Sequence, residues 1–289
     1  MKQFRLLSVL LCLAVLLSAC GGQPAAQTPA ATEAPVATEA PVATETSVAT
    51  ETQSTSLNVF AAASLTESFT EIAGKFEAAN PGVKVNLNFG ASQDLSNQII
   101  SGAPADVFAS ASPKPMKTLV EKGVVTEDAS KIFVTNALVV VMPEDNPAGL
   151  TTLQDLAKTG VRVVLAAAEV PVGGYAVNFL ENASKDSAFG ADFKDKVLKN
   201  VVSYEKDVKA VRSKVELGEA DAGIVYSTDM AGTKLQKIEI PEALNVIAKY
   251  PIAVIPTTTQ PDLAKSFMDY VLSADGQEIL GKYGFTPAQ

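Results

Sequence analysis

The chain has 289 residues, 47% of them hydrophobic, enough for one large or two ordinary domains with a buried core. It contains no histidine, which excludes Ser/His/Asp and Cys/His catalysis and every histidine-ligated metal site. With 23 Lys and Arg against 32 Asp and Glu the net charge is −9, the wrong sign for holding a nucleic-acid backbone.

Lys2 and Arg5 precede an apolar run over residues 6–17, too short to span a bilayer but the right size for the apolar region of a secretory signal peptide. The run ends in Leu17, Ser18, Ala19 and Cys20, which resembles the lipobox of bacterial lipoproteins. That resemblance implies that residues 1–20 are a lipoprotein signal peptide and that Cys20 is lipidated, becoming the new N-terminus. Ordinary cleavage with Cys20 kept for a disulfide is the other reading. It fails because Cys12, the only other cysteine, lies in the discarded segment. Acyl chains on Cys20 would supply the double anchor that stable membrane attachment needs.

Residues 21–56 have no aromatic residue, no Leu or Ile, and no Lys or Arg, so they cannot bury a core. They carry a short repeat, ATEAPV at Ala31 and Ala37, with degenerate copies at Ala43 and Ala49. A repeat this short and polar is a low-complexity spacer, not a solenoid. As a disordered tether it would span about 30 to 35 Å as a coil, or up to about 110 Å in a polyproline-like form.

From Leu57 onward, strand-like and helix-like segments alternate. LNVFAA precedes a helix over 64–80; VKVNLNFG precedes one from Ser92; ADVFAS precedes one over 113–122. Further on come ALVVVM, VRVVLAAA, a helix after Gly174, VVSY, a helix over 207–217, AGIVYS and two closing helices over 261–272 and 274–283. This order predicts an α/β fold with mainly parallel sheets. Residues 57–289 exceed one ordinary open-sheet domain, so two lobes are expected, with crossing strands at NALVVVM and YPIAVIP. Lobe 1 would hold 57–137 and 252–289, lobe 2 would hold 138–251, and a ligand cleft would lie between them.

Four strand-to-helix turns stand out. In FAAASLTES, Ser64 with Glu67 three residues on fits a capping box. In NFGASQDLSNQI, Ser92 opens the next helix. In AEVPVGGYAVNFL, a proline and paired glycines precede a helix and leave the Val172 N–H free. In the fourth, Asp207 is an N-cap residue with the Val208 N–H in the first turn, and Tyr226 ends the strand that follows. Each has an ordinary structural explanation. Each also aims a hydroxyl or a free N–H at the crevice beyond the strand ends, where an anion would be held.

The ordered set NVFAAASLTESF, NFGASQDLSNQI, GAPADVFASAS, NALVVVMP, VPVGGYA, DVKAV, GIVYSTD and YGF resembles the molybdate-binding substrate-binding proteins of bacterial ABC importers, over residues 57–285. The resemblance implies a two-lobed periplasmic-binding-protein fold of type II. It implies an oxyanion held by the hydroxyls of Ser64 and Ser92, the backbone N–H groups of Val172 and Val208, and the phenol of Tyr226. Val172 stands where an alanine is more usual, which a main-chain donor tolerates. Further implied are molybdate or tungstate as ligand, no cofactor and no directly ligated metal. The partners would be a permease with its ATPase, for a monomer anchored outside the cytoplasm.

Every group in that set can donate a hydrogen bond, which suits a fully ionised anion. Hydrogen phosphate keeps a proton that would be buried unsatisfied, at a cost of about 1 to 3 kcal/mol. Sulfate escapes this test and is excluded only by cavity size. A carrier for sulfate or for tungstate alone is therefore the alternative within the class. A ferric carrier would want paired tyrosines. Other readings are an exported enzyme using Ser64 with a lysine base, for which no spacing speaks, and a sensor or adhesin on a stalk.

Overall fold

The computed structural model describes residues 55–288. The signal peptide, Cys20 and nearly all of the tether lie outside these residues. Among the described residues no helix is long and apolar enough to cross a membrane.

The strands fall into two sheets. The first has the order β11-β4-β10-β3-β1-β2, built from β1 (Thr55–Ala62), β2 (Val83–Gly90), β3 (Val107–Ala109), β4 (Lys131–Asn136), β10 (Ala248–Val254) and β11 (Thr286–Pro287). The second has the order β7-β6-β8-β5-β9, from β5 (Leu138–Met142), β6 (Val163–Ala166), β7 (Val201–Glu205), β8 (Ala222–Tyr226) and β9 (Gln236–Glu239). Both are mixed, so the expectation of mainly parallel sheets holds for only part of each. β2, β1 and β3 run parallel, as do β7, β6 and β8, because helices carry the chain back between them. The strands nearest the crossings, β4, β10 and β5, pair antiparallel: they connect to the other sheet and need no returning helix.

Apolar spacing explains the helices. α1 (Thr66–Ala79) buries Phe69, Ile72, Ala73 and Phe76, the i, i+3, i+4, i+7 stripe of one helix face. That face meets α7 (Pro261–Leu272), with Phe76 and Phe267 edge to face at 5.2 Å. α2 (Ser92–Ile100) and α3 (Pro113–Glu121) pack on the first sheet, followed at the C-terminus by α8 (Ala274–Lys282). α4 (Pro171–Lys185), α5 (Phe193–Lys199) and α6 (Val208–Glu216) serve the second sheet. Gly223 of β8 lets α6 pack closely, since a Cβ there would lie 3.0 Å from the side chains of both Val211 and Val215, which would have to give way.

The first crossing is abrupt, with only Ala137 between β4 and β5. The return lies between Glu239 and Ala248, because β10 belongs to the first sheet along its whole length. Residues 248–251, expected in the second lobe, therefore pair with the first sheet; the apolar YPIAVIP run continues upstream into a ladder with β4. Asn245 ties the two crossings together, accepting from the Leu138 N–H at 3.0 Å and donating to the Leu138 carbonyl at 2.9 Å.

Candidate functional site

Sheet register assembles the site. In the parallel β1–β2 pair, Ala62 lies opposite Gly90, so the turns leaving both strands emerge side by side. Ser64 and Ser92 each come two residues after those partners. In the second sheet Ala166 lies opposite Glu205, and the turns that follow lead into α4 and α6. Tyr226 ends β8, parallel to β6. The carboxyl ends of the parallel strands thus face one crevice, the usual ligand position in open α/β sheets.

A small cavity lies where these turns meet, allowing the centre of a water-sized sphere to range over about 20 Å³. Ser64, Ser92, Val172, Val208 and Tyr226, all five predicted residues, line it together. Ala62, Gly90, Ala111 and Pro171 complete much of the wall, so little side-chain bulk intrudes. No Lys or Arg lines it, and its single acidic residue, Asp207, is turned away to cap α6, accepting from the Ala210 N–H at 2.9 Å. A second, wider hollow of about 510 Å³ between α2, α3 and α4 shares Val170 and Pro171 with it. Volumes of that order suit organic ligands; the small cavity suits one compact ion.

The donors are held differently. Val172 is the second residue of α4 and Val208 the first of α6, so both N–H groups belong to helix first turns and have no intrahelical acceptor. The close start of α4 depends on Gly173, where a Cβ would lie 2.1 Å from the Ala167 carbonyl oxygen. Ser92 Oγ accepts from the Ala111 N–H at 3.0 Å, which leaves its own proton free. Ser64 Oγ lies 3.0 Å from the Tyr250 hydroxyl. The Tyr226 hydroxyl is buried with no hydrogen-bond partner. Burial, together with the neighbouring Tyr250 and Tyr175, pushes that phenol far above its ordinary range, so it is a donor at any working pH.

The capping box expected at Ser64 is absent. Ser64 sits in a 3-10 turn over 63–65, and α1 begins at Thr66 with no side-chain cap. Glu67 reaches across to the second sheet's helix α6 instead, 2.8 Å from Lys209 Nζ and 3.7 Å from Arg212. Partial burial raises its pKa, but the Lys209 bond and charge outweigh that and hold it below the ordinary value. Lys209 also lies 3.2 Å from Asp229, whose carboxyl burial pushes up to about 6 against the pull of Lys209 and Arg212. Sequence reasoning missed Tyr250 and Asn136, which contact Ser64 directly and through one step; a tyrosine inside an apolar strand gave no signal of this.

Two α/β sheets joined by two crossings, with a small cavity at the facing strand ends, define the periplasmic-binding-protein architecture of type II. The chain belongs to the bacterial extracellular solute-binding protein family, whose model matches residues 57–286. It is 39% identical over 232 residues to the molybdate-binding protein ModA of Mycobacterium tuberculosis, covering 80% of this chain and 84% of that one. The substrate-binding domain of a putative molybdenum ABC transporter from Clostridium difficile superposes with a TM-score of 0.62 at 35% identity, covering 82% of this chain and all of that one. The periplasmic molybdate-binding protein of Azotobacter vinelandii, 22% identical, shares the fold with a TM-score of 0.70 over 81% of this chain and all of that one.

Proposed function

We propose that this protein binds molybdate outside the cytoplasm and delivers it to an ABC importer, with tungstate as an equally shaped second ligand. The observation that carries the reading is the unpartnered Tyr226 hydroxyl, buried in a cavity whose other polar groups are two serines, two helix starts and Asp207, the last engaged in capping α6. An orphaned buried hydroxyl is costly unless something arrives to bond it. The anion would be held by Ser64 and Ser92 from one side and by Val172, Val208 and Tyr226 from the other.

No cationic residue is needed. Helix N-termini contribute up to about 2 kcal/mol each when partly buried, and charge-assisted hydrogen bonds about 1.5 to 3 kcal/mol before desolvation is subtracted. Five such donors support micromolar binding or better, near −8 kcal/mol. The net charge of −9 does not oppose this, since charges beyond about 8 Å are largely screened at physiological salt. The molybdate name of the relative at 39% identity and the molybdenum transporter name of the one at 35% favour that ion over sulfate.

In this reading residues 57–137 and the chain after the return crossing form one lobe, the intervening residues form the other, and closure on the anion is the signal to the permease. A lipid on Cys20 and the tether over 21–56 would keep the monomer near its transporter. The site binds and releases its ligand without a reaction step and without a cofactor. A thermal-shift series with molybdate, tungstate, sulfate and phosphate tests the proposal. At 100 times its dissociation constant molybdate should add about 2.7 kcal/mol of stability. No shift with molybdate, or an equal shift with phosphate, contradicts it.

A further inference from the structure

Lys209 of α6 stands between carboxylates of the two proposed lobes. The hydrogen bonds it makes go to the first sheet's side, to both oxygens of Glu67 on α1 at 2.8 Å each. Asp229, on its own side in the turn after β8, lies 3.2 Å away, and its Oδ1 is buried with no hydrogen-bond partner. The other oxygen, Oδ2, accepts from the Tyr226 N–H at 3.3 Å. Lys209 is thus near enough to serve either acid, and it bonds the one that belongs to the other lobe. A buried carboxylate oxygen left unbonded is costly, and that cost falls on the arrangement in which α1 and α6 are held together.

The other groups around Asp229 cannot relieve it. Arg212 of α6 donates to the Asp229 carbonyl rather than its carboxylate, at 3.3 Å, and lies 3.7 Å from Glu67 and 3.5 Å from Glu216. Burial pushes the phenols of Tyr226 on β8 and Tyr250 on β10 above their ordinary range, so both stay neutral. Burial likewise pushes the Asp229 carboxyl up to about 6 against the pull of Lys209 and Arg212. In Glu67 partial burial is outweighed by the Lys209 bond and charge, which hold that carboxyl below its ordinary value. The chain has no histidine to titrate alongside them.

When the lobes part, Glu67 leaves with α1 and the ammonium is free to turn to Asp229, its neighbour on the same lobe. An ionised Asp229 then gains an undivided partner, so its charge favours the open protein; a protonated Asp229 makes no claim on Lys209 and favours the closed one. We propose that Lys209 passes between Asp229 and Glu67 as the cleft opens and closes, so that binding of the anion is coupled to uptake of a proton by Asp229. The inference rests on the oxyanion reading of the cavity and on closure around the ion. By linkage the closed state holds the proton to a higher pH than the open one, so affinity falls as pH rises through the window between them.

The test is calorimetric titration of the full chain with molybdate at pH 6 and pH 8, in wild type, Asp229→Asn and Glu67→Gln. Repeating it in buffers of different ionisation enthalpy counts the protons exchanged on binding. In D229N the amide oxygen can still accept from the Tyr226 N–H, so the turn is kept. Glu67 is over a third exposed, and E67Q should fold as wild type does. Wild type should take up roughly a third to a half of a proton per anion at pH 6, where the closed-state carboxyl is half titrated, and none at pH 8. D229N should take up none, and E67Q less than half the wild-type amount, since Lys209 then stays with Asp229 in both states. Molybdate binding by wild type without proton uptake, or uptake that persists in D229N, overturns the inference and leaves the functional reading intact. So does retention of more than half the uptake in E67Q, which would make the anion's own charge the cause. Failure of the wild type to bind molybdate at either pH overturns both the inference and the functional reading beneath it.

Discussion

Tyr226 carries a hydroxyl that the folded protein leaves with nothing to bond, and this separates it from a packing tyrosine. Tyr226→Phe should therefore have opposite effects on two measurements. Molybdate affinity should fall by about ten- to a hundredfold, the value of one charge-assisted hydrogen bond, while the unliganded protein should melt no lower than wild type. Asp229 gives a pH signature. Its carboxyl titrates near 6 when folded against an ordinary 3.8, so between about pH 4 and 6 the folded state keeps a proton that the unfolded state has released. From this group alone, stability falls as pH rises through that window and levels off above it. Asp155 acts with the opposite sign: Lys158 and the Thr151 N–H hold it well below its usual range, and its contribution is lost as pH falls. The difference in stability between wild type and Asp229→Asn, measured by denaturant titration from pH 4 to 7, should thus change across pH 4 to 6 and be flat above.

Among the elements, the N-terminus of α4 depends most narrowly on one residue. Gly173→Ala would drive a methyl group into backbone oxygens of 166 and 167, so α4 must withdraw and take the Val172 N–H with it. Both unliganded stability and molybdate affinity should drop, whereas an alanine at Gly74, inside α1 with open space around it, should raise unliganded stability by about 0.5 to 1 kcal/mol and leave affinity unchanged. The helices were legible from their apolar stripes, and the Asp207 cap formed as its sequence indicated. The capping box at Ser64 did not form. Its glutamate gains more from Lys209 and Arg212, cations 142 and more residues away that local spacing cannot reveal. The antiparallel half of each sheet was hidden for a similar reason, since strand direction at the crossings is set by where the chain returns.

Across the whole molecule, strand ends and helix starts announce the four turns locally, but the five residues as a set were implied by the resemblance to molybdate-binding proteins; register then brings them to one cavity. Tyr250 and Asn136 could not be named in either way, because they reach Ser64 across 186 residues and through an intermediate side chain. The Glu67 pair with Lys209 links the first sheet's α1 to the second sheet's α6 without touching the cavity, and so would act on the proposed closure. Glu67 is over a third exposed, so the pair contributes no more than about 1 kcal/mol. Glu67→Gln should speed molybdate release by up to about fivefold in stopped-flow measurements, less so at high salt. The most direct test of the whole account is anomalous scattering at the molybdenum edge from crystals grown with molybdate. The account predicts one dominant peak enclosed by Ser64, Ser92, Val172, Val208 and Tyr226, with its oxygens on their hydroxyls and N–H groups; a peak elsewhere, or one clasped by lysine or arginine, would contradict it.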